Sequence, residues 1–107
     1  MYFGDEYLGS IRQRIMKLLE ATEAPLSAEE IAQIMGIDVY DVYEHLVHIA
    51  KTVRRQSGNK KLLLMLPARC RKCGYVFSEL DRPRKPSRCP RCRSEWIEPP
   101  KFAIGNR

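Results

Sequence analysis

The sequence predicts an α+β fold, a winged helix-turn-helix with a four-cysteine metal ribbon inserted between its two wing strands. Three observations predict it: helical apolar periodicity through the first half of the 107 residues, a short apolar run at 62–66 with a candidate partner at 101–104, and a doubled Cys-x-x-Cys between them. The winged helix is assigned to 1–66, with its wing completed by 100–107, and the ribbon to 67–99.

From Ser10 to Ala21 the apolar residues Ile11, Ile15, Leu18 and Leu19 recur on one face of a helix, with Ser10 as a candidate N-cap. Ala24-Pro25-Leu26 breaks this helix. Ser27-Ala28-Glu29-Glu30 then fits a capping box, in which a hydroxyl and a carboxylate each accept from the other's free backbone amide. The second helix is short and ends at Gly36, a residue suited to a left-handed cap. Asp38 opens the third, whose residues Val42, Leu46, Ile49 and Val53 form a narrow apolar stripe. His45 falls at the edge of that stripe and His48 in solvent. After Gln56-Ser57-Gly58-Asn59, the run Leu62-Leu63-Leu64-Met65-Leu66 is too short for a helix and reads as a buried strand. Lys101-Phe102-Ala103-Ile104 is its candidate partner, and residues 82–88, rich in Pro, Arg and Lys, read as an exposed loop. A short second helix, a Gly at the second connection and a strand after the third helix make the helix-turn-helix pattern.

The segment from Pro67 to Pro99 has few large apolar groups and needs a staple to fold. Cys70-Arg-Lys-Cys73 and Cys89-Pro-Arg-Cys92 supply it, because a Cys-x-x-Cys turn aims two sulfurs at one point and two facing turns complete a tetrahedron. Gly74 follows Cys73 where such a turn wants positive φ, and Pro90 stiffens the second turn. Four protein ligands leave no open position for a substrate water, so the predicted site is structural. Zinc is the expected ion and iron the less favoured one, since a tetrahedron of four thiolates accepts both. Disulfides are disfavoured in the cytoplasm, where the chain is placed because it has no apolar membrane span and no basic, apolar leader at residues 1–6. A redox pair is disfavoured for want of a βαβ pattern. Tyr75, Phe77 and Trp96 are read as the ribbon's small core rather than as a stacking platform for single-stranded nucleic acid.

The net charge of +6 is unevenly spread: residues 1–66 hold eight Lys/Arg against nine Asp/Glu, and residues 67–99 hold nine against four. A polyanionic partner touching the C-terminal half fits that asymmetry. In a winged helix the third helix enters the DNA major groove. Here Asp38, Asp41 and Glu44 stand near its start, where each carboxylate would repel phosphate. The candidate DNA contacts are therefore Tyr40 and His48 on the helix, Lys51, Arg54, Arg55, Lys60 and Lys61 at and beyond its end, and Arg71, Lys72, Arg84, Lys85 and Arg91 on the ribbon. No Ser-His-Asp set, Gly-rich phosphate loop, HExxH or His-x-Glu deaminase box is present, so no enzyme and no small-molecule substrate are expected.

The stretch Cys70-Arg-Lys-Cys-Gly-Tyr-Val-Phe, with Pro86-Ser-Arg-Cys-Pro-Arg-Cys-Arg-Ser-Glu-Trp-Ile-Glu, resembles archaeal winged helix-turn-helix proteins that carry a rubredoxin-like zinc ribbon, a family of predicted transcriptional regulators. The resemblance implies metal ligation by Cys70, Cys73, Cys89 and Cys92, and double-stranded DNA as partner. Rubredoxins have Gly after the second Cys-x-x-Cys where this chain has Arg93, which weighs against iron. The expected function is a DNA-binding transcriptional regulator. The alternatives are a protein-interaction module of transcription or RNA-processing machinery and, less favoured, a rubredoxin-like electron carrier.

Overall fold

The computed structural model describes residues 4–78, 80 and 82–106, and of residues 4–10 the backbone alone. Residues 1–3, part of the segment inspected for a leader, and Arg107, part of the proposed wing, lie outside the described residues. The elements run α1 (Gly4–Ala21), β1 (Leu26–Ser27), α2 (Ala28–Met35), α3 (Val39–Gln56), β2 (Lys61–Leu66), β3 (Arg69–Cys70), β4 (Ile97–Glu98) and β5 (Lys101–Asn106). Among the described residues this is a mixed α+β fold of three helices, an antiparallel three-stranded sheet in the order β1-β5-β2, and a second sheet of β3 and β4.

The capping box forms as the sequence predicts. The Ser27 hydroxyl accepts from the Glu30 amide at 3.2 Å, and the Glu30 carboxylate accepts from the Ser27 amide at 3.0 Å. Gly36 closes α2 at φ 70°, ψ 35°, a conformation that costs other residues a Cβ clash. Asp38 caps α3 by accepting from the Tyr40 amide at 2.7 Å. One expectation is corrected: α1 starts at Gly4, so Ser10 lies well inside the helix and is no N-cap.

The core joins Ile11, Ile15 and Leu19 of α1, Ala28 and Ile31 of α2, and Val42, Leu46, Ile49 and Val53 of α3 to Phe102 and Ile104 of β5. All four apolar positions assigned to the third helix are thus buried. Phe102 is fully buried, opposite Leu26 on one side and Met65 on the other. The Tyr43 ring meets it edge-on, with centroids 6.3 Å apart. The pairing of 62–66 with 101–104 is as expected, but the strand is half-buried rather than buried. Leu63 and Met65 pack on the core, whereas Leu64 is 44% and Leu66 55% exposed. Successive strand residues face opposite ways, and this sheet has a helical layer on one side only. Strand β1 is an addition that the sequence did not suggest.

The ribbon leaves the main sheet at Leu66 and returns at Lys101. Its core is Ala68, Cys70, Cys89 and Ile97, with Tyr75, Phe77, Leu80 and Cys92 packed against it. Tyr75 and Phe77 meet edge-to-face at 5.0 Å, as core packing requires. Trp96 departs from that expectation, being 61% exposed. Cys70 pairs with Ile97 across β3–β4, and both point inward, so the flanking Trp96 must point outward.

Candidate metal centre

Two six-residue turns build the site, and they repeat each other bond for bond. In the first, the Gly74 amide donates to the Cys70 carbonyl at 2.9 Å, and the Cys70 amide to the Tyr75 carbonyl at 2.8 Å. In the second, the Arg93 amide donates to the Cys89 carbonyl at 2.8 Å, and the Cys89 amide to the Ser94 carbonyl at 2.9 Å. The equivalent residues Gly74 and Arg93 have φ of 82° and 64°. Arg93 therefore occupies a left-handed position that glycine fills at lower cost.

The turns face each other and bring the sulfurs together. Cys70 Sγ lies 3.5 Å from Cys92 Sγ, and Cys73 Sγ 3.6 Å from Cys89 Sγ. All four sulfurs lie within 4.8 Å of one another. A tetrahedral ion with metal–sulfur bonds of about 2.3 Å separates its ligands by roughly 3.8 Å, so the four cysteines fit a metal as they stand. Cys70 and Cys89 are buried, Cys92 is half-buried and Cys73 is exposed, so the site opens to solvent along one edge.

Turn amides prepare the thiolates. The Cys73 amide, and then that of Lys72, hold the Cys70 thiol down to about 6 against burial. Burial opposes the Cys89 thiolate, but the amides of Cys92 and Arg91 outweigh it and lower that thiol too; the Arg91 amide lies 3.4 Å from the sulfur. At Cys73 the Tyr75 amide is outweighed by burial and by the neighbouring sulfurs, and the thiol rises to about 11. Four thiolates so close repel one another, and a divalent cation held by Cys70, Cys73, Cys89 and Cys92 would offset that repulsion and favour the fully deprotonated set.

The candidate DNA contacts fall into separate groups. Tyr40, 69% exposed, lines a groove of about 270 Å³ with Tyr43, Glu44 and Val47 of α3 and Arg82, Pro83 and Arg84 of the ribbon's 82–88 loop. Lys85 pairs with Glu29 at 3.8 Å and ties that loop to α2. His48, Lys51, Arg54 and Arg55 are exposed along α3. Lys60 and Lys61 border a different groove with Glu20 and Asn106, and Lys61 pairs with Glu20 at 3.6 Å. Arg71, Lys72 and Arg91 sit exposed on the metal-binding turns. Sequence reasoning did not place the 82–84 loop against α3, a contact between distant segments that leaves no local signal. It also missed that Arg12 Nε donates to His45 Nδ1 at 2.9 Å, which pins α1 to α3.

The fold and the sulfur cluster together define a small helical α+β protein with an inserted four-cysteine zinc-ribbon domain. The chain belongs to the PF0610-like family: the "PF0610-like, N-terminal" domain matches residues 10–63 and the "PF0610 rubredoxin-like zinc beta-ribbon domain" residues 67–107. The chain is similar to protein PF0610 from Pyrococcus furiosus, whose solution NMR structure shares 35% identity over 92% of this chain and 91% of that one, with a TM-score of 0.69. No protein of curated function matches the chain. Among the described residues, no helix is long and apolar enough to cross a membrane.

Proposed function

We propose that this protein is a winged helix-turn-helix regulator of transcription that binds double-stranded DNA through α3 and the ribbon loop beside it, with zinc in a structural role. The element order supports the winged-helix reading: helix, short strand, two helices, then a pair of antiparallel strands, with β1 as the third strand of the sheet. The observation that carries the DNA reading is the groove at α3. Asp41 and Glu44 alone would repel phosphate, yet Arg82 and Arg84 stand across from Tyr40, Glu44 and Val47 and return positive charge to that face. Asp38 is spent as a helix cap. No catalytic step belongs to this reading.

Polarisation titration of metal-loaded protein with labelled duplex DNA at two salt concentrations tests the proposal. Binding that weakens steeply with salt, and weakens at every sequence in Arg82→Gln/Arg84→Gln, is the expected result. Absence of duplex binding even at low salt overturns it.

A second reading, a protein-interaction module of transcription or RNA-processing machinery, is favoured by Ile34 (56% exposed), Val39 (36%) and Tyr40 at the α2–α3 elbow. Affinity capture from the source cell would then return a stoichiometric protein partner, lost in Ile34→Asp.

A further inference from the structure

We infer that the outer face of the ribbon sheet, centred on Trp96, binds unpaired nucleotides of a single-stranded nucleic acid by stacking a base on the indole ring. The inference does not depend on the duplex reading, which uses α3 and the 82–84 loop.

Strand parity builds this face. Cys70 and Ile97 oppose each other and point toward the metal cluster, so the residues on either side of each point away. Arg69 opposes Glu98, and the Arg71 amide donates to the Trp96 carbonyl at 2.9 Å, which sets Arg71 directly across from Trp96. Val76 bridges to Arg69 on the far side and is 46% exposed. The Ser94 hydroxyl accepts from the Trp96 amide at 3.0 Å and fixes the backbone that presents the ring. The outcome is a rigid strip with an open indole, a valine and two arginines, anchored from behind by the metal ligand Cys70.

An exposed tryptophan costs solvation unless something covers it, and the surrounding charge identifies what. Arg71 is its cross-strand neighbour, and Lys72 and Arg93 project from the adjoining turns. Of the described carboxylates nearby, Glu98 on this face already lies 4.0 Å from the Arg69 guanidinium, and Glu95 is exposed beside the ring, outnumbered by these cations. A partner with flat apolar surfaces on a polyanionic backbone satisfies both the ring and the cations, which is the chemistry of an unpaired strand. Duplex DNA hides its base faces and offers the ring nothing to stack on. Oligodeoxynucleotide and oligoribonucleotide share the recognising chemistry, and both are arms of the test.

Trp96 is the only tryptophan in the chain, so its emission reports the contact directly. Metal-loaded full-length protein is titrated with dT12, U12 and a 12-base-pair duplex, following indole fluorescence and the polarisation of labelled strands. Quenching by at least one single strand is expected. Trp96→Ala should lose about tenfold or more in affinity for it and Trp96→Phe only a few-fold, since a base stack is worth that much and a phenyl ring retains part of it. Duplex affinity should be the same in both variants as in the parent. Zinc and thiol content is measured on every variant to confirm an intact ribbon. Unchanged emission with both single strands, or a metal-replete Trp96→Ala that binds them as tightly as the parent, overturns the inference. So does an equal loss for duplex and single strand, which would make the ring part of a general cationic surface. A protein that binds no duplex but shows the Trp96-dependent quench refutes the duplex proposal alone.

Discussion

Metal removal should weaken the helical domain as well as the ribbon, although no cysteine touches that domain's core. Residues 67–100 separate β2 from β5, and β5 supplies Phe102 and Ile104 to the helices. With the ribbon folded, the β3–β4 pairs Arg69–Glu98 and Cys70–Ile97 hold the two ends of the insertion together. The β2–β5 pairing then closes a loop of effectively about five residues; with the ribbon melted it closes one of about 34. Loop-closure entropy grows as (3/2)RT times the logarithm of length, so the difference is about 2 kcal/mol. For a domain of this size that lowers the melting midpoint by about 10 °C. The assay is thermal unfolding followed by circular dichroism at helical wavelengths, on metal-loaded protein and on protein stripped with a strong chelator under reducing conditions. Helical signal should persist at low temperature in both, with the stripped midpoint displaced downward. A midpoint that does not move would refute the coupling. Complete loss of helix on stripping would refute the magnitude, since loop entropy cannot supply that much.

Three further outcomes follow from the structure. Phe102→Ala removes the largest fully buried side chain among the described residues and should cost about 3–5 kcal/mol in urea unfolding. Arg93→Gly relieves the left-handed strain in the second turn by roughly 1 kcal/mol and should slow metal transfer to a competing chelator severalfold; faster transfer would count against the equivalence of the two turns. Burial first, and then the Arg12 charge, hold His45 below its ordinary value, so folding favours the neutral ring. A lowered base binds fewer protons folded than unfolded, so its share of stability is present above about pH 6.5 and is lost as pH falls toward the depressed value. The urea midpoint should therefore drop between about pH 7.5 and 5.5, and His45→Gln should flatten that drop.

What could be read from the chain was whatever the chain encodes locally. Ser27 and Glu30 lie three residues apart and satisfy each other. Gly36 ends a helix by its own backbone freedom. Val42, Leu46, Ile49 and Val53 need only the helical repeat to share a face. Each Cys-x-x-Cys is likewise a local turn, and four sulfurs admit few alternatives. The strand β1 was not legible, because two residues acquire strand character only through Phe102 and Lys101, far along the sequence. The 62–66 run looked buried because its composition is uniform, whereas exposure is set by which side of the sheet carries helices. An aromatic inside a ribbon strand reads as part of the small core, and Trp96 departs from that habit. Its parity with Ile97 and Cys70 is what turns it outward, and that parity needs the β3–β4 register. The loop at 82–84 lies beside α3, and Lys85 ties it to Glu29 of α2, two residues that nothing in the sequence links.

The central strand of the main sheet is also the last one synthesised. Residues 4–56 carry the three helices, but Phe102, around which their core closes, follows both sulfur turns in the chain. Nascent domains usually mature in order from the amino terminus. In this chain the helical module lacks its central strand until the whole ribbon has been made, so that order cannot complete it.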